Sequence, residues 1–402
     1  MERTQVAIVG GGLIGPALAL ALKSASIEAI VLDAKPVETR AADDFDGRAY
    51  AIALGSQRLL ATLGIWDKVA GEAQPITDIH VSEGKAPDPL LHFDPKELDE
   101  GRFGWILEDR FLRRALLDAL SEKGIADFAP VSVEGMARDT YSAALTLSDG
   151  KVLNADLVVA ADGRRSGLGR MAGISQVGWR YEQTGLVNAI AHERPHNGLA
   201  HQSFFQGGPF AVLPLTGNRS SLVWSERRAT AERLSALPDG AFTEEIAHRI
   251  GGRLGQIELI GKRWAYPLDL SLATAYAADR LALVGDAAHG VHPIAGQGMN
   301  MGLRDIAALA EVLTDASRLG EDIGKLTVLS RYQQWRRFDA TSMALGMDAL
   351  NRLFSNRSRV LSTVRQAGLR AVDALGTARR GFMREAIGAS GEVPRLLRGQ
   401  TL

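Results

Sequence analysis

The first 33 residues impose the tightest constraint on what this chain can become. Val6-Ala-Ile-Val9 is an apolar run typical of a buried strand, and Glu28 to Leu32 is a second such run, ending at Asp33. Between them lie a glycine turn, Gly10 to Gly15, and a small-residue helix predicted over Pro16 to Ser24. The pattern is a βαβ unit. Gly10, Gly12 and Gly15 have the spacing G-x-G-x-x-G, which permits a tight turn, lets backbone approach a pyrophosphate and packs helix closely on strand. The helix N-terminus adds N–H donors and the positive end of a dipole for phosphates. Asp33 follows Gly15 by 18 residues, at the strand end where a carboxylate accepts ribose hydroxyls. An acid there fits the adenosine ribose of NAD or FAD and disfavours a 2′-phosphate. The turn alone does not choose between the two.

The chain has 402 residues, enough for two or three domains and a large core. It contains no cysteine, which excludes disulfides, thiolate metal sites and cysteine nucleophiles together. The start of the chain lacks the features of a signal peptide, and no stretch reaches the roughly 18 apolar residues of a spanning helix. A cytoplasmic protein is expected, with any membrane contact peripheral on the inner face.

Further along, residues 56–70 and 108–122 have helical apolar spacing, and the proline-bearing stretch 75–98 reads as a loop or hairpin excursion. Strands are predicted at Ala143 to Leu147 and Asp156 to Ala160, the latter running into Ala161-Asp162-Gly163. Residues 181–265 are β-rich and aromatic with one amphipathic helix near 241–251, and Gly251 reads as that helix's C-cap. Leu281 to Val284 is again a buried-strand pattern, after which Gly285-Asp286 is expected to open a helix. Beyond about residue 330 the pattern is wholly helical.

The second informative motif decides the cofactor. Residues 279–305 comprise a strand, the pair Gly285-Asp286, and the loop Pro293-Ile-Ala-Gly296-Gln297-Gly298-Met299-Asn300 leading into a helix. FAD has two polar halves needing separate anchors. Asp286 suits ribityl hydroxyls, and the loop around Gly298 can present backbone N–H groups to the flavin ring. His289 and His292 are three residues apart and could share a helical face as metal ligands, but no third ligand cluster accompanies them. No metal is assigned. The G-x-S-x-G of a serine hydrolase is absent.

These motifs resemble those of the FAD-dependent aromatic hydroxylases, single-component flavoprotein monooxygenases with the para-hydroxybenzoate hydroxylase fold, and within them the ubiquinone-biosynthesis branch. Three motifs occur in family order: the glycine fingerprint, Ala161-Asp162-Gly163-Arg164-Arg165-Ser166, and the Gly285-Asp286 motif. The segments Gly346 to Asn356 and Phe382 to Ala386 also resemble that branch. The resemblance implies an α/β fold combined with α+β: a Rossmann-like FAD domain from residues 1–72, 98–180 and 266–340, an antiparallel-sheet substrate domain from 73–97 and 181–265, and a helical segment 341–402. It places Arg48 near the flavin or its pyrophosphate, Arg110 on the cofactor, and Asp162 in both FAD and NAD(P)H interactions through its ordering of backbone. Pro293, Gly296, Gln297 and Gly298 border the meeting point of flavin and substrate, with no acid or base assigned. The chain departs from the family where Gly169 stands three residues after Ser166, with Arg170 following. The implied reaction is reduction of FAD by NAD(P)H, addition of O2 to give a C4a-hydroperoxyflavin, and hydroxylation of an aromatic ring, a polyprenyl-phenol in the ubiquinone branch.

Two other readings stand beside it: hydroxylation of a different phenol, and a non-catalytic FAD-binding subunit of a biosynthetic complex. A flavin-dependent halogenase would carry Trp-x-Trp-x-Ile-Pro, whereas Trp264 is followed by Ala265-Tyr266-Pro267. The net charge of −1 argues against nucleic acid, yet it hides segregation. Residues 331–402 hold thirteen arginines and five acids, a net of +8, leaving −9 on the rest. Met343, Met347, Leu350, Leu353 and Phe354, interleaved with Arg352, Arg357 and Arg359, make a basic amphipathic pattern. It suits either a membrane surface or partner protein, or packing on the acidic body.

Overall fold

The computed structural model describes residues 2–84, 89–98, 101–355, 376–388 and 391–402. Its first sheet runs in the order Ala277–Ala278, Leu281–Leu283, Val152–Ala160, Glu2–Val9, Ala29–Leu32, Asp127–Phe128. Glu2–Val9 is central and parallel to both neighbours, with Val6 level with Leu157 on one side and Ala29 on the other. Strands covered on both faces must be apolar along their length, and Val6, Ala7, Ile8 and Ala29–Leu32 are all buried. The helix Ile14–Ser24 covers one face, itself buried from Gly15 to Leu22 beneath the long helix Gln297–Arg318.

The second sheet is built on two 17-residue strands, Gln176–His192 and Ile257–Ala273, paired antiparallel. Arg219–Arg227, Gly208–Leu215, Leu199–Phe205, Asp78–Glu83 and Leu91–Phe93 extend it in that order. The stretch expected as a hairpin excursion thus supplies two antiparallel strands to this sheet. Its own core, including Leu186, Phe210, Trp224 and Phe242, lies under the helices Arg228–Ser235 and Asp239–Ile250, the latter capped by left-handed Gly251. The long strands start before residue 181 and end beyond 265, and the helix Leu326–Phe354 runs unbroken through residue 341. Three of the expected domain limits therefore fall inside continuous elements.

Local chemistry explains three further differences from expectation. The 56–70 helix is divided at left-handed Gly64 into Leu54–Thr62 and Trp66–Val69. Gly285-Asp286 opens a single 3-10 turn, Gly285–Ala287, and the next α-helix starts only at Gln297. The Gly285 N–H is held by the Asp305 carboxylate at 2.9 Å, so the segment closes on that side chain rather than on a helical ladder. At the C-terminus, Pro394 and left-handed Gly399 confine Arg395–Arg398 to one 3-10 turn.

The basic segment packs on the body along its described part. Met347 and Phe354 are buried, with Phe354 stacked on Phe204 at 3.7 Å, while Leu350 is exposed. Arg331 pairs with Glu321, Arg352 with Asp348, and Arg395 with Glu311 and Asp315. Arg357 and Arg359 lie outside the described residues. No described helix is long and apolar enough to cross a membrane.

Asp305 is fully buried and joins three elements. Its carboxylate receives the Gly285 N–H, lies 2.6 Å from His289 Nε2 and accepts from Arg336 Nε at 2.9 Å. Burial alone would raise its pKa, but His289 and Arg336 outweigh that and hold it below the ordinary value. Its contribution to stability is therefore present above the unfolded carboxyl pKa, near 3.9, and is lost as pH falls through the depressed folded value. Breaking such a pair strands a buried cation and costs about 3–5 kcal/mol. Asp305→Asn is expected to lower unfolding free energy by that order in urea titrations at pH 7, with the gap to wild type narrowing below about pH 4.

Candidate active site

Ligands of open parallel sheets bind beyond the strand carboxyl ends where the chain departs to either side. Here that point is Gly10, between the flanking strands Ala29–Leu32 and Val152–Ala160. Gly10 has φ +121°, and a Cβ on it would stand 2.2 Å from the Ala161 carbonyl oxygen. On Gly15 it would stand 1.9 Å from the Gly10 oxygen. The chain's own packing requires both glycines. Gly12 is different, because a Cβ there would meet nothing within 4 Å. The helix beyond it has Leu13 at its N-cap and no side-chain cap, so no side chain takes its first N–H groups. Open space beside an uncapped helix start fits a bound pyrophosphate.

Asp33 shapes this turn directly. Its Oδ2 accepts from Gly11 N at 2.6 Å and its Oδ1 from Lys35 N at 2.7 Å, leaving further lone pairs for a hydroxyl. Arg40, which no sequence motif marks, is buried beneath the turn. It donates to the Gly11 oxygen at 3.0 Å and to both oxygens of Asp127 at 2.8 and 2.9 Å. Gly10, Gly12, Asp33, Arg40, Arg113 and Asp162 line one cleft of about 390 Å³. Arg113 also lacked a sequence signal, since only the pairing of strands brings its helix, Asp109–Glu122, to this place.

The three sequence motifs converge. Gly10 abuts Ala161 and Asp162, while Ile14 fills the space over Gly285 and Gly302, where a Cβ would lie 3.4 and 2.6 Å from it. Asp162 Oδ2 accepts from Gly167 N at 2.8 Å and orders the loop before Ser166, which caps the following helix. Gly169 sits against Leu283, a Cβ there lying 3.0 Å from Leu283 Cδ2, so the position that departs from the family pattern is a packing position and Arg170 is exposed beside it. Asp286 is exposed, 3.3 Å from Arg164 Nε. Arg164 also reaches Asp269 and the Val291 oxygen, tying this turn to the second sheet.

The stretch expected as a loop to Asn300 ends earlier: Ile294–Gly296 is a 3-10 turn and Gln297 to Asn300 form the first turn of the helix Gln297–Arg318, with Pro293 half-buried and Gln297, Met299 and Asn300 buried. The Asn300 side chain is a clamp: it accepts from Ala53 N and Ser56 Oγ and donates to the Ala51 oxygen at 2.8–2.9 Å. Left-handed Gly296 seats on Ala51, while a Cβ on Gly298 would meet nothing within 4 Å.

Residues paired directly across a sheet share a face. Val187 lies opposite Val223 and Trp264, and Ala189 opposite Ser221, itself opposite Leu213. Val187, Leu213, Val223 and Trp264 are only half-buried, and Leu213 and Ala189 pack with Ala51. This face of the second sheet therefore looks towards the strand Ala49–Ala53, against which Gly296 and Asn300 lie. His292 stands nearby with its ring 5.2 Å from that of Tyr181. It is 1% exposed, and neither ring nitrogen has a hydrogen-bond partner. Burial and the Arg164 charge push it down to about 4, so it is neutral at neutral pH.

Arg48 lies over the Trp264 ring at 5.5 Å and pairs with Asp46 and Asp109. Burial opposes its charge, but Asp109, Tyr50 and Asp46 hold its pKa above the ordinary value. Arg110 is directed elsewhere: it pairs with Glu108, donates to the Asp43 oxygen and lines a separate cavity of about 290 Å³. Within the described structure Arg113, one helical turn on, lines the motif cleft instead.

Residues 3–344 match the FAD binding domain family. The chain belongs to that family. It is 46% identical over 401 residues to the ubiquinone hydroxylase UbiL of Rhodospirillum rubrum, covering 99% of this chain and 93% of that one. It is 36% identical to the 3-demethoxyubiquinol 3-hydroxylase of Escherichia coli, covering 96% and 99% respectively. Among solved structures, the p-nitrophenol 4-monooxygenase PnpA of Pseudomonas putida aligns over 98% of this chain and 100% of its own with a TM-score of 0.82 at 19% identity. The family assigns FAD as cofactor, and the open spaces beside Gly12 and Gly298 fit it.

The contrast between the glycines gives a test. Gly12→Ala is expected to leave the melting transition of the flavin-free protein within about 1 kcal/mol of wild type while weakening FAD binding at least tenfold by fluorescence titration. Gly10→Ala should destabilise the fold itself, and equal loss of fold stability in both variants would contradict the assignment.

Proposed function

We propose that this protein is an NAD(P)H-dependent flavin monooxygenase that hydroxylates the ring of a polyprenyl-phenol on the route to ubiquinone. The observation that carries it is the convergence of the three motifs at one strand-end crevice that faces the partly open side of the second sheet. The ubiquinone hydroxylases similar over nearly the whole chain support the substrate class. In the division of labour we propose, the first sheet and the helices on it bind the cofactor, and the second sheet, whose long strands run past residues 181 and 265, forms the substrate side.

FAD, reduced by NAD(P)H, supplies the oxygen-activating chemistry when bound. Gly10, Gly12 and the uncapped helix start hold its pyrophosphate, Asp33 its adenosine ribose, and Asp286 its ribityl hydroxyls. The Gly296 to Asn300 backbone borders its ring, with Pro293 and Gln297 at the same edge. Arg48 supplies positive charge beside Trp264. The apolar face formed by Val187, Val223 and Leu213 excludes water from the ring to be hydroxylated, which limits wasteful loss of activated oxygen. Neutral His292 accepts a hydrogen bond from the substrate hydroxyl and fixes which carbon is presented.

The prenyl tail partitions into lipid, so the reading includes a peripheral contact with a membrane or with a carrier in a biosynthetic assembly. The exposed Leu345 and Leu350, on the helix whose Arg352 lies 4.7 Å over the Trp179 ring, are suited to it.

The purified protein is expected to be yellow, with NAD(P)H oxidation accelerated by a prenylated phenol and not by simple carboxylated phenols. Oxidation indifferent to any phenol would refute the reading. His292→Phe removes a buried unsatisfied polar group, so it should melt no lower than wild type. It should nonetheless lower the hydroxylated product formed per NAD(P)H, measured against released peroxide.

A further inference from the structure

On the opposite face of the second sheet, three side chains form a cluster that the flavin site does not use. Asp78 and His80 alternate along the strand Asp78–Glu83 and so share a face, and His80 is directly opposite His92 on Leu91–Phe93. One ligating atom from each of Asp78, His80 and His92 lies within 4.8 Å of the others. The two imidazoles meet edge to face at 4.8 Å, and His92 Nε2 is 2.8 Å from Asp78 Oδ1. All three are half-buried, which leaves a side open to solvent.

We propose that Asp78, His80 and His92 bind a divalent transition ion of the zinc class. Two imidazoles and one carboxylate from a rigid strand pair are a donor set that zinc takes, with water completing the coordination. On binding, the ion takes the place of the direct contact between His92 Nε2 and Asp78 Oδ1. The neighbouring His201 is not a ligand. Its Nε2 meets Ser82 Oγ at 3.0 Å, and its Nδ1 meets Arg253 at 2.9 Å and Ser203 at 3.2 Å. Arg253 thereby caps His201 and leaves a three-residue site.

The site's place defines its role. Leu91–Phe93 is the edge strand of the sheet, only three residues long. Its opposite face, Leu91 and Phe93, packs with Val81 and Phe204 against Phe354 at the end of the helix Leu326–Phe354. An ion bridging His80 and His92 pins that short strand from behind, and so steadies the surface on which the helix end rests.

The test uses the full-length, FAD-loaded protein without a histidine tag, titrated with Zn2+ by calorimetry and with Co2+ by visible absorption. One equivalent is expected to bind, with a Co2+ d–d band and a Zn2+-dependent rise in melting temperature. The paired change His80→Ala/His92→Ala, and separately Asp78→Asn, should weaken binding by roughly tenfold or more. His248→Ala, elsewhere on the surface, should not. Circular dichroism and retained flavin identify any variant that misfolds, in which case His92→Gln serves in its place. Absence of detectable Zn2+ and Co2+ binding to the wild-type protein would overturn the proposal. So would unchanged binding in folded variants. Neither outcome bears on the flavin reading, whose readouts are colour and phenol-dependent NAD(P)H oxidation.

Discussion

The buried Asp305 carboxylate is the interaction on which the arrangement rests. A charge taken so far from water survives only if every neighbour answers it, and Gly285 N–H, His289 and Arg336 do so from three different segments. Arg336 extends the system to Asp339, and Arg304 links Asp339 to Glu385. The turn carrying Asp286 is thereby fixed to the helices Leu326–Phe354 and Gly376–Ile387. The cofactor crevice is as much a product of this network as of the glycines that announce it.

Sequence reading succeeds where one residue type has one physical reason to be present. The fingerprint glycines, the parallel strand pattern and the second motif were legible because each obeys a local rule, and the family likeness follows from them. Arg40 and Arg113 were not legible, since an isolated arginine acquires meaning only when sheet pairing delivers it to the cleft. Asn300 was expected among residues serving the cofactor, but its side chain is engaged by Ala51, Ala53 and Ser56. Arg110 carried a family role in the sequence and lies in another cavity. Aromatic content in 181–265 suggested a sheet, yet not strands long enough to cross from one core to the other, because periodicity says nothing about how far a strand continues.

Charge is the other property that the average concealed. The arginines of the last 72 residues could have served solvent, lipid or partner. Of the thirteen, those at 331, 336, 352 and 395 have carboxylates as partners, so part of the basic character is spent inside the molecule. Exposed ion pairs of this kind contribute little energy each, about 0–1 kcal/mol, but the buried one at Arg336 sets geometry.

The helix Leu326–Phe354 touches the buried Asp305 at Arg336 and the second sheet, through Phe204, at Phe354. At about 1.5 Å per residue these two contacts stand roughly 27 Å apart. An α-helix cannot stretch, so it acts as a gauge block between the two halves. The spacing between the Asp305 network and the Phe204 contact is set along this helix by residue count rather than by adjustable contacts. Inserting or deleting one residue in it would rotate its far end by about 100° and misplace Phe354 along with the wall it supports.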